Sequence, residues 1–148
     1  MTSSNGTSER WATIPGFDDV YEVSSIGNVR NRSAGRMLNP RINHRLGTGY
    51  RQLTLMAGPE RRSCYVHALV LEAFVGPRPA GMHVRHLNGN SLDNRLENLR
   101  WGTPAENAQD RVRHGTDANA RKTHCSLGHP LDGPDAECKV TEKGHRKC

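Results

Sequence analysis

Residues 85–107 read RHLNGNSLDNRLENLRWGTPAEN, with one histidine, His86, and five asparagines, Asn88, Asn90, Asn94, Asn98 and Asn107. A neutral imidazole near pH 7 takes a proton from water. A carboxamide oxygen is a neutral ligand for a hard cation such as Mg²⁺, which keeps several of its waters. A base and a cation on opposite sides of a phosphodiester make a hydrolase, because the cation stabilises the departing oxygen and the charge of the transition state. His86 and Asn107 are the pair for that chemistry. Asn94 and Asn98 suit another task, bridging backbone groups across a loop. The bland alternative is a structural imidazole among turn-forming amides, and for Asn88-Gly89 turn chemistry suffices.

Strands and a helix must bring these residues together. MHVRHL predicts a short strand with Arg85 and His86 near its end, and LRW a second strand with Leu99 and Trp101 on one side. The loop between them is rich in turn formers. GTPAEN opens a helix: Thr103 is the N-cap, Pro104 the first helical residue, and Glu106 closes a capping box. That helix runs to about His114 and stops at Gly115. A helix packed across such a hairpin carries its first turn, with Asn107, toward the strand end that bears His86. Upstream, VHALVLEAF sets Val66, Leu69, Val70, Ala73 and Phe74 on one helical face. His67 lies on that helix's flank near the polar edge, suited to capping or a phosphate contact. His67 and His83 are also possible extra ligands.

Before this helix the pattern is strand-like. VYEVSSIGNVRNRS reads as two short strands around Gly27-Asn28, and RMLNP as a third piece ended by Pro40. YRQLTLM alternates, with Leu53 and Leu55 on one face; AGPERRS reads as a turn, and SCYV begins another strand. Cys64 in that strand is a small apolar residue. Between Ser24 and Arg62 stand Arg30, Arg32, Arg36, Arg41, Arg45, Arg51, Arg61 and Arg62, no lysine, and one acid, Glu60. Guanidinium forks suit phosphate, so the segment reads as a polyanion footprint; the alternative is a solvated face.

Hydrophobic residues make up 34% of the 148 residues and mean hydropathy is −0.77, which favours small cores and much loop. The net charge of +6 and pI near 9.5 agree with an anionic partner. No apolar run approaches membrane-spanning length, and MTSSNGTSERW lacks a signal-peptide core. The expectation is therefore a cytoplasmic protein, of a bacterial host cell, with no membrane partner. In that compartment the four cysteines read as thiols or metal ligands.

The string VHALVLEAFVGP followed by RHLNGNSLDNRLENLRWGTPAEN resembles the HNH (His-Me finger) nucleases, in particular the homing-endonuclease-like group of phages. WATIPGFDDVYEVSSIGNVRNR resembles a small module found ahead of such domains and taken to help hold DNA. The resemblance implies an α+β fold: a small ββα-metal nuclease core preceded by a short-stranded β-rich module. It implies that His86 is the general base and Asn107 the metal-ligating residue. Asn98 matches the central Asn that ties the loop together. The implied cofactor is a divalent cation, Mg²⁺ or Mn²⁺, and the implied partner double-stranded DNA. Where the family has a metal-binding Asp before the base, this chain has Arg85. Either Asn107 holds the metal with other groups and the phosphate, or activity is weak, or Arg85 clamps a phosphate oxygen.

The C-terminal KTHCSLGHPLDGPDAECKVTEKGHRKC offers Cys125, His129, Cys138 and Cys148, a possible tetrahedral Zn²⁺ set. It resembles a zinc-binding tail of related phage nucleases that ends in a further Cys beyond the one matching Cys148. The alternative is a basic tail with exposed thiols. The expected organisation is a disordered tail over 1–9, a DNA-binding module over 10–62 (Arg30, Arg32, Arg36, Arg41, Arg45 and Arg51, joined by Arg85), the nuclease domain over 63–115 and the Cys/His-rich tail over 116–148. The expected activity is hydrolysis of DNA by a one-metal mechanism. Two rivals stand beside it: a DNA-binding protein on a catalytically dead scaffold, and a zinc-stabilised partner protein.

Overall fold

Short runs of β-branched and aromatic residues, each ended by a turn, form small antiparallel sheets rather than one large one. The structure, a computed structural model, describes residues 8–17, 19–44, 48–118, 121–125, 128, 130–131, 139–140 and 146–147, the last two pairs by backbone alone. The chain divides into two units, Met1–Asn107 and Ala108–Cys148.

In the first unit, β1 (Trp11–Thr13), β2 (Tyr21–Ser24), β3 (Val29–Asn31) and β4 (Met37–Leu38) make a sheet in that order. A second sheet joins β5 (Arg41–Asn43), β6 (Tyr50–Ala57) and β7 (Glu60–Tyr65). The sequence reading kept 57–63 as a turn, but only Gly58 and Pro59 lie between β6 and β7. Glu60, Arg61, Arg62 and Ser63 pair along β6 as far as Thr54. Both sides of that stretch are polar or exposed, so it carries no alternation to read. The three-residue β5 was missed for its shortness.

Helix α1 (Val66–Phe74) follows directly and buries Val66, Leu69, Val70 and Leu71. Then come β8 (His83–His86), a 3-10 turn at Leu96–Asn98, β9 (Leu99–Gly102) and α2 (Pro104–Arg113). One apolar cluster draws Ile14 and Phe17 from the β1–β2 connection, Val23 and Val29 from the first sheet, Leu53, Leu55 and Cys64 from the second, the α1 residues, and Leu99. The expected module boundary at 62/63 falls inside β7, and the residues on its two sides share this core.

The β2–β3 turn also props the loop that precedes β9. Gly27 adopts φ 88°, a conformation that suits glycine, and a Cβ there would lie 2.8 Å from the Asn94 Cβ. Close by, Leu96 N–H donates to the Ser25 carbonyl at 2.8 Å. In the second unit the described backbone forms a short antiparallel pair, β10 (Lys139–Val140) with β11 (Arg146–Lys147).

Candidate active site

His86 ends β8 and pairs in register with Leu99, while Val84 pairs with Trp101. Opposed residues in an antiparallel pair share a face, and neighbours along a strand alternate. His86 therefore sits with Val84, Leu99 and Trp101 on the α1 side of the hairpin, and Arg85 with Arg100 and Gly102 on the other. The strand register thus separates two adjacent side chains into two environments.

On the α1 side the His86 ring meets His67 at 5.2 Å between centroids, at 89°, and Tyr50 at 6.1 Å. His67 stacks on Tyr65 at 5.3 Å and 5°, and meets Tyr50 at 5.3 Å and 74°. On the helix flank that the 3.6-residue pattern left polar, where capping or a phosphate contact was expected of His67, β6 and β7 lay Tyr50 and Tyr65 against its ring. His67 Nδ1 is buried with no hydrogen-bond partner among the described residues, an arrangement that costs about 1–3 kcal/mol. Burial first, and the His86 charge second, push the His67 imidazole down to about 3.

The lengths between β8 and β9 are tied by amides. Asn98 Oδ1 accepts from Asn88 N–H at 2.9 Å, and its Nδ2 donates to the Asp93 carbonyl at 2.9 Å. Arg95 grips the Asp93 carboxylate at 2.8 and 2.9 Å, and with the Asn88 amide holds it down to about 2, the Arg95 bond being the largest cause. Asn94 does something the sequence reading did not assign to it. Its Oδ1 lies 3.3 Å from His86 Nε2. An amide oxygen only accepts, so in this arrangement Nε2 carries the proton and Nδ1 keeps its lone pair. Burial pushes the His86 imidazole below its ordinary value, against smaller opposing effects of the Asn94 bond and the Asp93 carboxylate. A ring so placed is neutral, and a base, at pH 7. The close approach of Asn94 to the turn at Gly27, which holds it there, leaves no mark in a single sequence.

On the other face Arg85 crosses Gly102, where any Cβ would overlap its side chain, and reaches Glu106 at 3.0 Å. Glu106 also caps α2, since its Oε2 accepts from Thr103 N–H at 2.8 Å and from Thr103 Oγ1 at 3.1 Å. The ion pair therefore fastens the first turn of α2, which contains Asn107, to the strand that bears His86. Of the arginines expected on DNA, Arg30 pairs with Glu22 at 2.8 Å and lies over the Trp11 ring at 3.9 Å. Arg32 lies 3.6 Å from Glu22 and 3.7 Å from Asp19. These acids stand outside the acid-poor window, so the charge there is partly compensated across the sheet. Arg36, Arg41 and Arg51 are exposed; Arg36 and Arg41 line a cleft with Gln52, Thr54 and Ser63. Arg45 lies outside the described residues, as do His129, Cys138 and Cys148 of the expected zinc set; Cys125 is half-buried.

Residues 64–109 match the HNH endonuclease family and residues 9–56 the NUMOD4 motif. The HNH endonuclease match runs from the end of β7 into α2. The chain is 32% identical over 106 residues to DNA endonuclease I-HmuI of Bacillus phage SP01, covering 72% of this chain and 59% of that protein. It is 30% identical over 113 residues to the HNH endonuclease L245 of Acanthamoeba polyphaga mimivirus, covering 76% of this chain and 33% of that one. The solved structure of the HNH homing endonuclease I-HmuI, described for DNA binding and cleavage, matches with a TM-score of 0.65 at 31% identity. That match covers 73% of this chain and 60% of the other. The chain thus spans less than two thirds of these relatives' own length.

HNH nucleases generally use a divalent metal ion. Among the described residues no three His, Cys, Asp or Glu side chains gather as a cage. The first turn of α2 still offers hard oxygen donors, the Asn107 amide and the neighbouring Glu106 carboxylate. A hydrated Mg²⁺ or Mn²⁺ fits so small a protein share, because water and substrate phosphate complete its shell. The Arg85 guanidinium beside them opposes a cation in the absence of DNA. No helix among the described residues is long and apolar enough to cross a membrane.

Proposed function

We propose that this chain is a DNA endonuclease of the phage or mobile-element kind, hydrolysing phosphodiester bonds in double-stranded DNA. The observation that carries the reading is the Asn94 Oδ1 contact on His86 Nε2 at 3.3 Å, which leaves Nδ1 as a neutral base at the end of β8. In the reaction, Nδ1 takes a proton from water and the hydroxide attacks phosphorus. The bond to the 3′ oxygen breaks, giving 5′-phosphate and 3′-hydroxyl ends. Asn107, with water and the DNA phosphate, holds Mg²⁺ or Mn²⁺. That ion, when bound, supplies positive charge to the departing oxygen. Asn98 keeps the loop closed so that Asn94 stays against His86. The exposed Arg36, Arg41 and Arg51 hold the duplex through phosphates, which fixes its position without reading its sequence.

The cytoplasm of a bacterial host cell is the proposed compartment, a reading supported by relatives in a Bacillus phage and an Escherichia phage. The Cys/His-rich tail over 116–148 takes a structural Zn²⁺ through Cys125, His129, Cys138 and Cys148, to be checked by metal content of the purified chain. The deciding experiment is nicking of supercoiled plasmid across a panel of divalent ions, with His86→Ala beside the wild type. The variant is expected to lose nicking while keeping salt-sensitive DNA binding. Equal cleavage by the two would remove His86 from its role. A second reading, a DNA-binding protein on a silent nuclease scaffold, is favoured by the Arg85–Glu106 pair. Wild-type protein that shifts DNA and never cuts it under any ion would establish that reading.

A further inference from the structure

We propose that His67 is a positioning residue for the general base: its ring is the wall that fixes the plane of His86, and so the direction of the Nδ1 lone pair. The proposal rests on His86 being the base. The need for a wall follows from the geometry around that ring. Among the described residues the His86 side chain has one hydrogen bond, to Asn94 at 3.3 Å, which is long for N–H to oxygen. Rotation about the bond that joins an imidazole to its Cβ has broad wells, so one long bond does not set the ring plane. Packing must do so.

His67 supplies the nearest ring, perpendicular to His86 at 5.2 Å and 89°. It is itself held on two sides, stacked on Tyr65 at 5.3 Å and edge-on to Tyr50 at 5.3 Å. Its backbone is the second residue of α1, whose neighbours Val66 and Leu69 are fully buried, so the wall is anchored in the core. Tyr50 flanks His86 less closely, at 6.1 Å and a tilt of 46°. The unpartnered Nδ1 argues that His67 is not placed there for hydrogen bonding. Its depressed proton affinity keeps it uncharged beside a base that must gain charge during the reaction. The groups facing the pair are Tyr50 and Tyr65 from the second sheet and Asp93 from the loop.

The test compares His67→Ala and His67→Phe with the wild type by two readouts. The first is kinetic. His67→Ala is expected to lower kcat for plasmid nicking at least tenfold with KM for DNA within twofold, and His67→Phe to recover kcat to within fivefold. The second needs no activity: ¹⁵N spectra of the labelled histidine ring report the His86 tautomer. A single Nε2–H form is expected in the wild type and His67→Phe, and a mixture in His67→Ala. Wild-type kcat in His67→Ala, or an unmixed tautomer there, overturns the proposal. If His67→Ala does not fold, a folded His67→Phe with kcat reduced more than tenfold overturns it, and one within fivefold upholds it. Should His86→Ala still cleave, the assignment of the base fails on its own, while the tautomer spectra continue to decide what His67 does to the ring.

Discussion

Arg85 puts a guanidinium against the start of α2, through Glu106. Its side chain is 18% exposed and its partner Glu106 45%, so the pair is neither a free surface contact nor a sealed one. Arginine prefers a bidentate oxyanion, so a DNA phosphate at this site would compete with Glu106 for it. Arg85→Asp returns an anionic oxygen to the strand and removes the opposing cation. The half-saturating Mn²⁺ concentration for nicking is then expected to fall by at least roughly tenfold, since charge count sets affinity at such sites. A Mn²⁺ titration of nicking by the variant and the wild type measures it. An unchanged or higher midpoint would show that residue 85 does not face the ion. Residue type and order offered His86 and Asn107 as candidates, and the family resemblance supplied the roles proposed for them. The ion pair between them was not, because a strand residue and a helix residue 21 positions apart leave no mark in one sequence.

The helix α2 shows how far local chemistry reaches. Thr103, Pro104 and Glu106 announce its start, and the structure closes both halves of the box: Glu106 N–H donates to Thr103 Oγ1 at 3.2 Å while Glu106 accepts from Thr103 N–H at 2.8 Å. Replacing Thr103 by Ala is expected to cost about 1 kcal/mol of stability, read from the midpoint of urea unfolding. Because Glu106 also holds Arg85, Thr103→Ala and Glu106→Gln should not add: the double variant loses less than the sum of the two singles. Additive losses would separate the cap from the ion pair. Elements with a strong local signature were readable in this way, including the alternating β6 and the apolar face of α1. Those held by partners were not. The start of β7 is polar on both faces and is a strand only because β6 lies beside it. The α1 flank at His67 looks solvent-facing until Tyr50 and Tyr65 cover it. Likewise Arg30 of β3 looked unopposed because Glu22 meets it across a strand pair, not along the chain.

For the first unit as a whole, burial of uncharged imidazole couples the site to stability. His67 is held near 3 when folded against an ordinary 6.5, so between those values the unfolded chain binds the extra proton. The sign follows: this contribution is fully present above about pH 6.5 and is lost as pH falls toward about 3. His86, depressed in the same direction, adds to the loss. Asp93 enters lower, since its carboxylate is held near 2 against 3.8, so its share disappears as pH falls below 3.8 through about 2. Thermal midpoints should therefore decline from pH 7 to pH 4, well before surface carboxylates titrate. His67→Phe removes one of the two titrating rings, and the wild-type curve should be steeper by up to about 1.4 kcal/mol per pH unit between pH 6 and 4. At pH 7 the variant should be at least as stable as the wild type, because a phenyl ring fills the space without an unpartnered nitrogen. Parallel curves for the two proteins across that range would mean that His67 is hydrated and charges freely, and the ring cluster that links the second sheet to His86 would not be closed to water.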